Sequence, residues 1–272
     1  MTDTPIAEAL QFAIALADVA EREILRHYRT AQATLKADGS DVTQADREAE
    51  EAMRAIIAMR YPDHRILGEE FGGAEGPSDQ PTWILDPIDG TTSYALGIPM
   101  FGTLIGYLEK NEPVVGVIHL PAMSETVFAA KGLGCWYKRR GETPRPVHVA
   151  EPKQLAEAFV SASGVNPSDI LPPARGDCYR LSALITRVRK FRFITDCVQY
   201  SLVARGRIDA ALDLAMHPWD IAALVPCIEE AGGVATDLDG NREGIVWRPS
   251  LLTASNPRLL EQILSVVRNQ SH

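Results

Sequence analysis

Trp83-Ile84-Leu85-Asp86-Pro87-Ile88-Asp89-Gly90-Thr91-Thr92-Ser93-Tyr94 joins an apolar run, two aspartates around a proline, and a glycine-led turn. Its first residues form a short apolar run of strand type that delivers Asp86 at its end. Pro87 disfavours helix at Asp86 and removes one backbone donor, which turns the Ile88 carbonyl and the Asp89 side chain toward one space. Gly90 permits a tight turn. Thr91 onward can open a short helix whose free N–H groups suit an anion. One loop thus offers two carboxylates, a carbonyl and an anion nest. Oxygen-only donors of this kind suit Mg²⁺ with a substrate phosphate. Read alone, the same residues also fit an ordinary turn at a strand end.

Two further acidic clusters bear on that choice. Gly68-Glu69-Glu70 follows another short apolar run, Arg65-Ile66-Leu67. Far downstream, Trp219-Asp220 opens a helix. Taken singly, Glu69-Glu70 reads as a solvated loop and Asp220 as a helix cap.

Around these clusters the hydrophobic period changes twice. Residues 5–29 place Ile6, Leu10, Ala13, Ile14, Ala17, Ala20, Ile24 and Leu25 at helical spacing, behind Thr4 and Pro5. A second helix is expected from Thr43 to Met59, with Asp46 three residues after its cap and Tyr61-Pro62 ending it. Strand-type runs follow at 65–68, 83–85, 101–108, 114–120, 126–130 and 134–137. Beyond the proline-rich 139–152 segment, strands and helices alternate: strand 158–161, helix about 175–187, strand 191–195, helix 197–205, strand 210–214 and helix 219–231. Residues 1–145 therefore read as an α+β part with the main metal-binding loops. Residues 146–272 read as an α/β part that supplies Asp220 and the substrate pocket.

Composition narrows the classes. The 272 residues carry a net charge of −9, which opposes binding to nucleic acid or an anionic membrane. Cys135, Cys178, Cys197 and Cys227 form no C-x-x-C pair, so a zinc ribbon is not expected. No apolar run approaches the roughly 18 residues of a membrane span, and the first residues lack a signal-like core. A soluble, cytoplasmic protein is expected.

Glu69-Glu70, the 83–94 stretch, His217-Pro218-Trp219-Asp220-Ile221-Ala222-Ala223-Leu224 and Glu229-Glu230-Ala231-Gly232-Gly233 together resemble the inositol monophosphatase superfamily of magnesium-dependent, lithium-sensitive phosphatases. The resemblance runs from Lys36 to Asn256 and includes Asp41 to Asp46. It implies the layered α-β-α-β-α sandwich of the inositol monophosphatase/fructose-1,6-bisphosphatase type, a homodimer, and a site between the two parts. It also implies that Glu69, Asp86, the Ile88 carbonyl, Asp89 and Asp220 hold two or three Mg²⁺ ions, with Glu70 further out. Thr91, bonded to Asp46, would help Glu69 orient and deprotonate the attacking water. Gly90, Thr91 and Thr92 would hold the phosphate through their backbone, with Lys36 nearby. No side-chain nucleophile is then needed, and no G-x-S-x-G, P-loop or H-E-x-x-H occurs.

Within the superfamily, Phe101-Gly102-Thr103-Leu104-Ile105-Gly106 and Asp196-Cys197 are more like the histidinol-phosphatase branch. That branch often reads G-G-D-C-Y, of which Asp196-Cys197 is kept here. Asp196 and Asp213 are expected beside the leaving group, where two carboxylates would suit the ammonium and imidazole of histidinol phosphate. The alternative for Asp196 is a cap on the helix that follows. A substrate such as inositol 1-phosphate, or another small sugar or nucleotide phosphate, stays open, as does a non-catalytic metabolite-binding relative. Other features carry less: Asp237-Leu238-Asp239-Gly240-Asn241 reads as a hairpin turn, since Arg242 and Arg248 stand where a calcium loop needs Gly and Glu. Residues 187–193 read as a half-exposed strand with Phe191 and Phe193 inward. His217 either approaches the site or is structural.

Overall fold

A long amphipathic helix, α1 (Pro5–His27), buries Ala13, Leu16, Ala17, Ala20 and Ile24 along one stripe. The computed structural model describes residues 5–30, 33–35, 41–73, 75–171 and 179–268. A two-stranded antiparallel ladder, β1 (Thr34–Leu35) and β2 (Asp41–Val42), leads to α2 (Gln44–Arg60). The start of α2 is fixed as its sequence predicts. The Thr43 backbone N–H and hydroxyl both donate to Asp46 Oδ2, at 2.8 and 2.6 Å.

Next comes a seven-stranded sheet in chain order: β3 (Arg65–Gly68), β4 (Thr82–Asp89), β5 (Gly102–Glu109), β6 (Glu112–Leu120), β7 (Glu125–Ala130), β8 (Gly134–Arg139) and β9 (Arg145–Pro146). Only the β3–β4 pair is parallel; the rest is a meander. The short helix α3 (Thr91–Ala95) sits between β4 and β5. A second, mixed sheet has the order β11-β10-β12-β14-β13. Its strands are β10 (Phe159–Ala162), β11 (Lys190–Phe193), β12 (Ala210–Asp213), β13 (Val234–Thr236) and β14 (Leu251–Ala254). Between them run α4 (Leu181–Arg187), α5 (Asp196–Ala204), α6 (Pro218–Ile221) and α7 (Leu224–Glu230), and α8 (Pro257–Val267) ends the described chain.

Strand periodicity sorts the side chains into three cores. On β4, Trp83 and Leu85 face α1 and α2, while Ile84 faces the other way, toward α5, α6 and α7. The third core lies beyond the second sheet, against α4 and α8. The result is five layers, α-β-α-β-α, as the resemblance implies, with one shared core between the sheets. Two glycines on neighbouring strands admit the central layer. Gly106 and Gly116 are register partners in β5 and β6. A Cβ on Gly106 would lie 2.6 Å from the Ala222 Cβ, and one on Gly116 would overlap the Ala223 carbonyl. The junction between α6 and α7 rests in that dent, which sets Asp220 against the first sheet.

Three local expectations change. The single helix expected over 219–231 is two, Pro218–Ile221 and Leu224–Glu230. Pro226 has no N–H for the Ala222 carbonyl, and its ring disfavours a continuous helix through that turn. The helix expected from 175 begins at Leu181, because Tyr179 is held extended in a bridge to Ser168; residues 175–178 lie outside the described residues. Phe193 is 51% exposed rather than inward, since β11 is an edge strand.

Candidate metal centre and substrate cavity

Asp86 and Asp89 are three residues apart, so a regular strand would place them on opposite faces. The ladder between β4 and β5 shifts register between these two residues. The irregularity reverses the alternation and brings both carboxylates to one side. Pro87 lies inside it, where it forfeits no ladder donor, and its carbonyl accepts from the Thr103 hydroxyl at 2.9 Å. Gly90 follows at φ +92°, a conformation that strains any side chain. A Cβ there would lie 2.8 Å from Asp196 Oδ2.

Asp220 enters from the first turn of α6, held by the His217 backbone N–H at 2.7 Å. The His217 ring itself stacks on Trp219, with centroids 4.8 Å apart. Asp89 accepts the Cys197 backbone N–H from the start of α5 at 2.5 Å. Asp86, Asp89 and Asp220 each offer one oxygen, all within 4.8 Å of one another. Glu69 adjoins them: its backbone N–H donates to the Leu85 carbonyl at 3.1 Å, and its side chain hydrogen-bonds that of Asp86.

Such crowding is electrostatically costly. Burial, then the charges of Glu69, Asp89 and Asp220, push the Asp86 carboxyl well above the usual carboxylate range. Burial and the charges of Asp196 and Asp220 do the same to Asp89. Asp220 is pushed up to about 8 by burial, with Glu69, Asp213 and Asp196 adding to it. Among the described residues, Asp86 Oδ1 is buried without a hydrogen-bond partner. An all-oxygen, anionic and underdonated cluster fits a hard divalent cation, which would replace the missing donors and cancel the repulsion.

Thr91 begins α3. Its hydroxyl lies 3.0 Å from the Ile88 carbonyl and 3.3 Å from Asp46 Oδ1. Asp46 is fully buried and raised to about 6, chiefly by burial, with Glu69 adding and the Thr43 donors opposing. The Thr92 hydroxyl donates to Asp41 Oδ2 at 2.7 Å, joining α3 to β2. Glu70 stands on the turn after β3, its backbone N–H donating to Glu50 Oε2 at 2.7 Å. Lys36 lies outside the described residues.

A cavity of about 270 Å³ opens beside the cluster, lined by Asp89, Asp196, Asp213 and Asp220 with Ser163, Asn166 and Tyr200 among others. Asp196 and Asp213 are held differently there. Asp196 is the first residue of α5, after Thr195 as its N-cap, and has φ +53°. Its backbone N–H donates to Ser163 Oγ at 2.8 Å. Asp213 ends β12, and its oxygens accept from Ser163 N, Ser163 Oγ, Gln199 Nε2 and Tyr200 OH, at 2.7–3.0 Å. Burial raises it to about 7 against those donors.

Sequence reasoning missed the supports. Ser163 and Gln199 gave no local signal. Glu50 did give one, since it falls in the buried stripe of α2 with Ala45, Ala49, Met53 and Ile57. The Gly106–Gly116 dent was signalled only by glycines inside apolar strands.

The inositol monophosphatase family is matched over residues 6–272. A histidinol-phosphatase of Chlorobaculum parvum is 36% identical over 91% of this chain and 92% of its own. A histidinol-phosphatase of Mycobacterium tuberculosis is 35% identical over 85% and 88%. Among solved structures, an IMPase of Thermotoga maritima superposes with a TM-score of 0.81 at 28% identity, over 95% of this chain and 96% of that one.

Proposed function

The chain belongs to the inositol monophosphatase family and is a phosphatase, and from that premise we propose that it hydrolyses histidinol phosphate to histidinol and phosphate with Mg²⁺. Glu69, Asp86, the Ile88 carbonyl, Asp89 and Asp220 would hold two or three ions, with Glu70 outside them. When bound, Mg²⁺ neutralises the phosphate, activates water and stabilises the leaving alkoxide. Glu69 takes the proton from the attacking water. Thr91, fixed between the Ile88 carbonyl and Asp46, orients that water. The N–H groups of Gly90, Thr91 and Thr92 lie at the start of α3, where no intrahelical acceptor serves them, and they receive the phosphate.

The observation that carries the substrate is the cavity lining. Four carboxylates line it, and no Lys or Arg does among the described residues. A neutral polyol gains little from such a wall. A leaving alcohol bearing an ammonium gains a charge-assisted hydrogen bond of about 1.5–3 kcal/mol. Because Asp213 already accepts four protein donors, this recognition falls mainly on Asp196. The two relatives named histidinol-phosphatase support the same reading.

Phosphate release from histidinol phosphate, inositol 1-phosphate, fructose 1,6-bisphosphate and adenosine 3′,5′-bisphosphate tests it. Wild type should prefer histidinol phosphate. Asp196→Asn should lower kcat/KM for that substrate roughly tenfold to a hundredfold and spare a generic phosphomonoester. Equal losses on both, or a wild-type preference for inositol 1-phosphate, reject the assignment.

A further inference from the structure

We propose that Glu50, with Arg54, is a positioning residue that sets Glu69 and Glu70 against the Asp86–Asp89 loop, so that one face of α2 brackets both metal-bearing loops. This rests on the metal reading above and assigns a part to residues that the reading does not use.

Asp46, Glu50 and Arg54 stand four residues apart on α2, one above the other on a single face. The first grips one loop: Asp46 Oδ1 meets the Thr91 hydroxyl at 3.3 Å. The other two grip the second. The Glu50 side chain is fully buried. Its Oε2 accepts the Glu70 N–H at 2.7 Å, and its Oε1 accepts the Phe71 N–H at 3.3 Å. Arg54 Nε donates to the same Oε1 at 2.7 Å, and Arg54 Nη2 donates to the Gly72 carbonyl. Gly72 in turn closes the turn by accepting the Gly68 N–H at 3.0 Å.

The carboxylate also lies flat on Gly68. A Cβ at that position would overlap its Cδ and Oε1. Gly68 is therefore the glycine that lets a buried carboxylate reach the turn's N–H groups. A carboxylate has the right chemistry for this place. It is acceptor-only, and it meets two backbone donors and one guanidinium donor. The turn bearing Glu69 has few apolar anchors, with Phe71 52% exposed. This polar grip and the Glu69 bond to Leu85 hold it in place.

Mn²⁺ titration followed by electron paramagnetic resonance, with parallel Mg²⁺-activation curves, tests the bracket. Glu50→Gln keeps the shape but turns an amide N–H toward a backbone N–H. Mn²⁺ affinity should fall about tenfold, the usual cost of losing a ligand-orienting partner. The Mg²⁺ concentration for half-maximal activity should rise to match, and the rate at saturating Mg²⁺ should fall as well, because Glu69 also takes the proton from the attacking water. A merely structural Glu50 would lower Tm in chelator and leave the Mn²⁺ affinity of the folded protein unchanged, and that result overturns the proposal. Should Glu50→Gln fail to fold, Arg54→Lys on the more exposed partner makes the same test: the same loss of Mn²⁺ affinity upholds the bracket and an unchanged affinity overturns it. Wild-type protein that binds no Mn²⁺ overturns the metal reading together with the bracket. Ordinary wild-type binding with unaltered binding in these variants overturns the bracket alone.

Discussion

The carboxylates of the first sheet and the carboxylate that ends β12 stand around one cavity, yet they are held in opposite ways. Among the described residues Asp86 leaves Oδ1 with no partner, and Asp89 is held by the Cys197 N–H. Asp220, which crosses from the second half to join them, is held by the His217 N–H. Asp213, ending β12, accepts four donors from Ser163, Gln199 and Tyr200. Both arrangements raise the pKa, since burial dominates in each. Burial alone therefore does not mark a reactive carboxylate. The supply of protein donors does. A carboxylate that the chain has satisfied is a strut, and a crowded set left short of donors is a place for a cation.

Asp89→Asn gives the largest effect that this contrast predicts. A neutral amide withdraws a charge worth several kcal/mol to the reaction, so phosphate release should fall about a thousandfold at 1.36 kcal/mol per tenfold. Stability in chelator should not fall, because the amide oxygen still accepts the Cys197 N–H and the repulsion with its neighbours is gone. Ordinary Mg²⁺-dependent turnover in this variant would break the contrast at its first term.

Asp213→Asn should behave in the reverse way. Its amide N–H would face Gln199 Nε2 or the Ser163 N–H, both donors. A cost of about 1–3 kcal/mol is expected, read as a lower urea midpoint in chelator. Turnover of every phosphomonoester should decline together, with Mn²⁺ affinity retained. A selective loss on one substrate, with stability unchanged, would make Asp213 a recognition group instead of a strut.

The smallest effect is in pH dependence. Without a cation, Asp220 near 8 and Asp213 near 7 keep protons that the unfolded chain loses around pH 4. Their raised pKa values stabilise the fold fully below about pH 4, and that contribution is lost as pH rises through 7 to 8. Mg²⁺ in the proposed site would compete with those protons at Asp220 and would have no place at Asp213. The increase in Tm on adding Mg²⁺ should therefore be larger at pH 8 than at pH 5, by a few degrees. Thermal melts at both pH values, with Asp89→Asn as control, check this. Equal shifts at both would place Mg²⁺ binding outside the cluster.

Features decided within a few residues were legible in the sequence. Thr43 and Asp46 close the start of α2 because both bonding partners lie within one turn. Strand runs ending in Glu69-Glu70 and in Asp86-Pro87-Ile88-Asp89 announced the two acidic loops. Trp219-Asp220 announced a helix start, although His217 is its cap and Asp220 stands at its third position; that this start joins the other acids came from the resemblance. What only the tertiary structure decided depends on partners far apart in the chain. The register shift that puts Asp86 and Asp89 on one side is made by pairing with β5. The break at Ala222–Ala223 has a local cause in Pro226, but its resting place is the dent at Gly106 and Gly116, on two other strands. Phe193 is exposed because, among the described residues, no strand pairs beyond β11. The sequence marks Glu50 as an acid within the apolar stripe of α2, but what it holds is decided only when Gly68, Glu70 and Phe71 are folded onto it. A sequence fixes which groups can donate, accept or carry charge. Whether a given carboxylate ends up satisfied or short of donors is settled only when distant backbone N–H groups are brought within about 3 Å of it.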